Sequence, residues 1–273
     1  MKKIACDSKS FFALLISVIF LLSASCNDAA KSEAPNEPAI TDSSGYQLVW
    51  SDEFNSSSVD TTNWNFEIGG HGWGNHEQQY YQAANASIEN GNLVINGKKE
   101  DADKNHYTST RMISKGKHEF LYGKIEARIK IPIGQGLRPA FWMLGANIDA
   151  VDWPACGEID IMEHINTDSL IYGTPHWDNN GHVMKGDTLA STPSDYHAYA
   201  VEWDSSAIRW FVDDIKYHEL DISNNRNSTE EFHRPQYILL NLAIGGDWPG
   251  QVVDDSKIPA KMYVDYVRVY KKQ

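Results

Sequence analysis

Residues 123–131 alternate without a break: Ile125, Ala127, Ile129 and Ile131 are apolar, and Lys124, Glu126, Arg128 and Lys130 between them are charged. A period of two puts one set on each face of a strand, the pattern of a half-buried antiparallel strand. A helix would scatter both sets around its surface. Comparable short segments recur at residues 46–50, 86–96 around Asn90-Gly91, 140–144, 171–177, 197–203, 207–212, 236–244 and 262–270, with Gly, Asn and Asp turns between them. No long helical stretch competes, and no repeat of fixed period is visible. The chain therefore reads as all-β, an antiparallel sandwich. With 41% hydrophobic residues, nine Trp and 13 Tyr, it carries enough apolar surface for the core of one large domain.

Residues 157–163 read Gly157-Glu158-Ile159-Asp160-Ile161-Met162-Glu163, three carboxylates threaded through an apolar run. Ionised carboxylates within a buried strand cost several kcal/mol unless they are paired, solvated by a cleft or used in chemistry. Glu158 and Asp160 share a face, whereas Glu163, five residues from Glu158, points the other way in a regular strand. One extra residue changes this. A bulge near Met162 brings all three acids to one surface, and bulges recur beside active sites. Two carboxyls about 5–5.5 Å apart are what a retaining glycosidase needs, one as nucleophile and the other as acid and then base. Crowding raises at least one pKa, so one carboxyl stays protonated near neutrality while another is ionised. A calcium cluster or a solvated acidic strand is the competing reading.

The start of the chain is of another kind. Lys2 and Lys3, an apolar run over residues 11–22, and Ser23-Ala24-Ser25-Cys26 make residues 1–25 a targeting segment, too short in its apolar part to span a bilayer. Small residues before a Cys resemble a bacterial lipoprotein box, which makes Cys26 the lipidation candidate; the alternative is a secretory peptide cleaved near Ser25. Residues 26–45 are small, polar and Pro-containing, a tether, and the domain is expected over residues 46–273. The implied location is the bacterial cell envelope, lipid-anchored at the outer membrane or cell surface, or secreted. Without residues 1–25 the chain keeps 21 basic and 36 acidic residues, a net charge of −15, which argues against nucleic acid as a partner. Cys156 is then the one Cys beyond Cys26, and it reads as a small core residue rather than a nucleophile.

Sugars present apolar C–H faces to aromatic rings and hydroxyls to polar side chains. Trp73, Trp142, Trp153, Trp177 and Trp248 all lie beside Gly, Pro or polar residues, and as a group they suggest a sugar cleft. Asn75, Glu77, Arg111 and His176 are nearby polar candidates for binding hydroxyls.

The run from Trp153-Pro154-Ala155-Cys156-Gly157 through Glu163 resembles the motif of glycoside hydrolase family 16, particularly its bacterial laminarinases. The likeness includes Trp50-Ser51-Asp52-Glu53-Phe54, Gly72-Trp73-Gly74-Asn75-His76-Glu77 and Pro139-Ala140-Phe141-Trp142-Met143-Leu144. Residues 241–250 and 264–270 continue it in the same order. The resemblance implies a concanavalin-like jelly roll with a cleft across a concave face. It implies Glu158 as nucleophile, Glu163 as acid/base and Asp160 as their modulator. It also implies Asn75, Arg111, Trp142, Trp153, His176 and Trp248 as sugar contacts. Met162 marks the bulged, laminarinase form of the motif. No cofactor is implied for catalysis; a structural calcium ion is, at positions matching Glu53, Gly91 and Asp265, the first two through backbone carbonyls.

Two positions depart from the pattern: Arg138 stands where laminarinases commonly have Trp, and His76 where Asn is usual. Arg138 leaves a charged or branched glycan open. The resemblance implies a monomeric endo-acting hydrolase of β-1,3 bonds in laminarin-like glucans. Alternatives are action on mixed-linkage β-glucan or an agar-type galactan, transglycosylation, and a non-catalytic glycan-binding lipoprotein.

Overall fold

The computed structural model describes residues 45–273. The expected signal segment, the lipidation candidate Cys26 and the tether up to residue 44 lie outside the described residues. Along the chain the strands are β1 (Tyr46–Asp52), β2 (Asn65–Glu67), β3 (Gln79–Tyr81), β4 (Ala86–Glu89), β5 (Asn92–Gly97) and β6 (Tyr107–Ser109). They continue as β7 (Arg111–Ile113), β8 (Gly123–Lys130), β9 (Leu137–Gly145), β10 (Glu158–Glu163), β11 (Leu170–Asp178) and β12 (His182–Met184). The last are β13 (Asp187–Ala190), β14 (His197–Trp203), β15 (Ala207–Val212), β16 (Ile215–Asp221), β17 (Gln236–Ile244) and β18 (Ala260–Lys272). A single turn of helix, α1 (Ile148–Val151), interrupts them.

Two antiparallel sheets of eight strands result. One runs β16-β15-β14-β8-β18-β5-β4, with β1 also on β18; the other runs β12-β11-β10-β9-β17-β7-β2, with β13 also on β11. This is the jelly roll that the resemblance implied. The alternation in β8 works as expected: Ile125, Ala127 and Ile129 are fully buried. Opposite them, the second sheet contributes Phe141, Met143, Ile159, Ile161, Met162, Ile238 and Leu240 to the same core. Each such side chain gains roughly 1.5–3 kcal/mol by leaving water, against the entropy of ordering the chain. In β17 every residue is buried, so its run YILL shows no alternation; Asn241 is the polar residue it turns outward.

The strand carrying the three acids is bulged. Across β9, Asp160 pairs with Trp142 and Glu163 with Ala140; across β11, Asp160 pairs with Thr174 and Glu163 with Tyr172. Three steps on β10 thus match two on either neighbour, with Ile161 and Met162 both fully buried at the irregularity. Glu163 is thereby returned to the face of Glu158 and Asp160, away from the core. The entry to β10 needs Gly157: its φ is +78°, and a Cβ there would lie 2.7 Å from Glu231 Cβ.

Candidate active site

The outward face of the second sheet is the site. Register aligns Glu158 with His176 on β11 and Leu144 on β9, Asp160 with Trp142, and Arg138 with Ala243 on β17. Asn241 faces Arg111 of β7, which faces Glu67 of β2. Glu158, Asp160, Glu163, His176, Arg138, Trp142, Asn241 and Arg111 consequently project from one surface. Asp160 and Glu163 are buried, while Glu158 is half-buried.

These carboxyls sit in contact with donors and with one another. Trp153 Nε1 donates to Glu158 Oε2 at 2.9 Å. His176 Nε2 lies 3.0 Å from Asp160 Oδ2, close enough for an ion pair but poorly aligned, and that oxygen has no other partner. Beneath the strand, Trp210 Nε1 donates to the Asp160 carbonyl at 2.7 Å and holds the backbone between Glu158 and Glu163. Burial and the Asp160 charge push the Glu158 carboxyl up to about 8. Burial also raises Asp160 well above the usual carboxylate range, with Glu163 adding to it. Glu163 is raised by burial, with Arg138 and His176 pulling the other way. Three adjacent carboxyls cannot all ionise here, so the cluster holds protons near neutrality. A proton on buried Asp160 would remove one of the two main causes that raise Glu158, the other being burial.

Aromatic rings floor the cleft beside the acids. The Arg111 guanidinium lies between two indoles, 5.0 Å from the Trp73 centroid and 4.8 Å from that of Trp142, and it is ion-paired with Glu67. Trp142 Nε1 donates to Asn241 Oδ1 at 2.7 Å, which fixes its ring. At the rim Trp153 is 46% exposed and Trp248 42% exposed. Trp153 tilts against His182, 4.5 Å between centroids, and Trp248 stands edge-on to Tyr172 at 4.9 Å. Asn75 lies in the loop over the sheet, its Nδ2 donating to Glu77 Oε1 at 3.3 Å and its carbonyl accepting from Asp247 N at 2.8 Å. All six expected sugar contacts are therefore in or around this face.

Trp177 is a correction. It is buried, donates from Nε1 to the Asn227 carbonyl at 2.9 Å and packs on Phe232, so it belongs to the core. Parity explains it: His176 shares the face of Glu158, so the next residue must point inward. Cys156 behaves as a core residue, fully buried, with burial pushing its thiol up to about 11. Two residues that sequence reasoning gave no role in the acid cluster enter it. Glu77, expected only as a hydroxyl ligand, pairs with Arg138 at 2.6 Å. His182, which carried no motif, has Nε2 2.8 Å from His176 Nδ1.

Residues 73–268 match the family model described as Glycosyl hydrolases family 16. The chain belongs to that family. Among curated relatives, the β-glucanase of Rhodothermus marinus is 40% identical over 246 residues, covering 83% of this chain and 85% of that protein. The clotting factor G alpha subunit of Tachypleus tridentatus is 45% identical over 230 residues, 82% of this chain but only 34% of that protein. In three dimensions the laminarinase catalytic domain from Thermotoga maritima matches with a TM-score of 0.78 and 43% identity, covering 84% of this chain and 99% of that domain.

Against this family background the two departures have structural accounts. His76 Nδ1 pairs with Asp247 at 2.9 Å, tying the loop before β3 to the loop after β17. Arg138 is nearly enclosed, its side chain 15% exposed and held between Glu77 and Glu163, so it is not free to receive an anionic sugar substituent. The expected calcium positions converge by register: Glu53 follows β1, Gly91 precedes β5, and Asp265 sits in a bulge of β18 where those strand ends meet. Glu53 and Gly91 would ligate through backbone carbonyls, which the nearby ion pairs leave untouched. Glu53 is bidentate to Arg268, and Asp265 pairs with Arg128 at 2.7 Å. Two backbone carbonyls and the Asp265 carboxylate supply part of the six to eight oxygens that a calcium ion takes, so the site stays an expectation. Glu158, Asp160 and His176 bring donor atoms within 4.8 Å of one another, and a metal there would occupy the carboxyls expected to react.

Proposed function

We propose that this chain is a retaining endo-β-1,3-glucanase acting on laminarin-like glucans. Protonated Glu163 gives its proton to the glycosidic oxygen as the C1–O bond breaks, and a Glu158 oxygen forms the new bond to C1. Water then attacks C1 of the glycosyl-enzyme, Glu163 takes a proton from it, and Glu158 leaves as carboxylate. Asp160 accommodates the proton that keeps Glu158 ionised. No metal or cofactor enters these steps.

The observation that carries this reading is the bulge in β10, which sets Glu158, Asp160 and Glu163 on one face beside an indole floor. The choice of β-1,3-glucan is supported by the likeness to the Thermotoga maritima laminarinase catalytic domain and the Rhodothermus marinus β-glucanase. Non-catalytic glycan binding is disfavoured by the complete set of carboxyls. Reducing-end release from laminarin by residues 46–273 tests the reading. Glu158→Gln should abolish turnover while retaining glucan binding. No activity on laminarin with turnover of an agar-type galactan would refute the substrate and leave the chemistry.

The chain is further proposed to act as a monomer, anchored at the outer membrane or cell surface through a lipid on Cys26. The support is Lys2, Lys3, the apolar run and the small residues before Cys26. Cys26→Ala should release the protein from membranes of expressing cells; continued membrane retention would count against the anchor.

A further inference from the structure

Arg138 stands at a position where a laminarinase-like motif carries an indole, and the cleft has absorbed its charge. Nη2 lies 2.6 Å from Glu77 Oε1 and Nη1 3.5 Å from Glu163 Oε1. Glu77 is itself held in place. Its Oε2 accepts from Gln79 Nε2 at 2.7 Å and from the Tyr81 hydroxyl at 3.1 Å. The Tyr81 hydroxyl accepts from Asn241 Nδ2 at 3.1 Å, and Asn241 accepts from Trp142. A rigid chain of hydrogen bonds therefore runs from the sugar floor to Glu77, through Arg138, to Glu163. Every side chain in this hydrogen-bonded network is half-buried or buried, so water screens its charges poorly.

We propose that Arg138 is a positioning residue whose guanidinium, divided between Glu77 and Glu163, aims the acid/base carboxyl and sets the pH range in which it can donate its proton. This rests on the reading of Glu163 as acid/base. The shorter contact is to Glu77, so Glu77 restrains the cation and limits how strongly it stabilises ionised Glu163. Without Glu77 the guanidinium is free to close on Glu163; without Arg138, Glu163 faces the Glu77 charge uncompensated. Other charged or titratable groups facing Glu163 are Glu158 and Asp160 on its own strand and His176 and Tyr172 on β11. Tyr81 and Arg111 lie further along the floor, and Asp247 is already paired with His76. None of these lies between Arg138 and Glu163.

The consequence is a pair of opposite shifts. Glu163 must be protonated to act as acid, so its pKa governs the alkaline limb of kcat/KM. Arg138→Met removes the cation, Glu163 keeps its proton longer, and the limb should move up by about one pH unit. Glu77→Gln frees the cation, Glu163 loses its proton sooner, and the limb should move down by a similar amount. Arg138→Lys keeps the charge and should restore most of the wild-type profile, with a lower kcat because one fork contact is lost.

The experiment measures pH profiles of the wild type and these variants on laminarin and on a dinitrophenyl laminaribioside. The dinitrophenolate departs without a proton, so its alkaline limb should not follow the variants. Carboxyl 13C NMR of Glu163 in the same proteins reads its titration without turnover, and it still decides the matter if a variant is inactive. An inactive wild type would refute the glucanase reading alone. Shifts of Arg138→Met and Glu77→Gln in the same direction, or unmoved Glu163 titration with only KM raised, would overturn the role of Arg138.

Discussion

Trp153 was expected as a sugar platform, and its N–H donates to the proposed nucleophile as well, 2.9 Å from Glu158 Oε2. Trp153→Phe separates the two roles, because Phe keeps an aromatic ring at the rim and loses only the donor. A hydrogen bond to a charged group contributes about 1.5–3 kcal/mol. Trp153 is 46% exposed, so water replaces part of the donor, and the lower end of that range applies. About 1.4 kcal/mol corresponds to one pK unit. The sign follows from the nucleophile: the donor favours ionised Glu158, so its removal raises the Glu158 pKa. Glu158 must be ionised to attack, hence the acid limb of kcat/KM should move up by about one pH unit, a loss of roughly tenfold on that limb. The alkaline limb should stay in place. The assay is the pH profile of reducing-end release at subsaturating laminarin. An unmoved acid limb with a raised KM would refute the reasoning and leave Trp153 as a platform only.

Trp142→Ala should raise KM for laminarin about tenfold or more with a smaller change in kcat, since a stacking ring and one face of the Arg111 sandwich are lost together; an unchanged KM on initial-rate kinetics contradicts the floor. Gly173→Ala should destabilise the domain by about 1–3 kcal/mol, because the new methyl would meet Trp210 Cδ1 at 2.6 Å. Calorimetry should show a Tm lowered by several degrees, and an unchanged Tm would mean that Trp210 and the still nearer Tyr217 hydroxyl both have room to yield. Iodoacetamide near pH 8 should leave the folded enzyme active and Cys156 unlabelled on peptide mapping, since the thiol is buried and raised to about 11. Rapid labelling with inactivation would contradict that.

What was legible in the sequence depended on period two. Glu158, Asp160 and Glu163 could be placed together only by breaking that period, and the bulge at Ile161 and Met162 does so. The same parity, applied to β11, would have sent Trp177 to the core once His176 was placed beside the acids. Strands such as β2, β7 and β12 have three residues each, too few for any period to register. β16 was hidden for another reason: it lies at the sheet edge, where Lys216 and Glu219 are exposed and the apolar signal is thin. Contacts across long sequence separations carried no local sign. Arg138 meets Glu77 from 61 residues away, and Trp153 reaches Glu158 only because the loop after α1 folds back over β10.

The central claim is that Glu158 attacks and Glu163 delivers the proton. Proton NMR of early laminarin hydrolysis, joined to peptide mapping after a 2-fluoro laminaribioside with a good leaving group, tests it most directly. The account predicts that the β-anomer appears first and that the covalent label sits on Glu158. An α-anomer appearing first, or a label on Glu163 or Asp160, would contradict it.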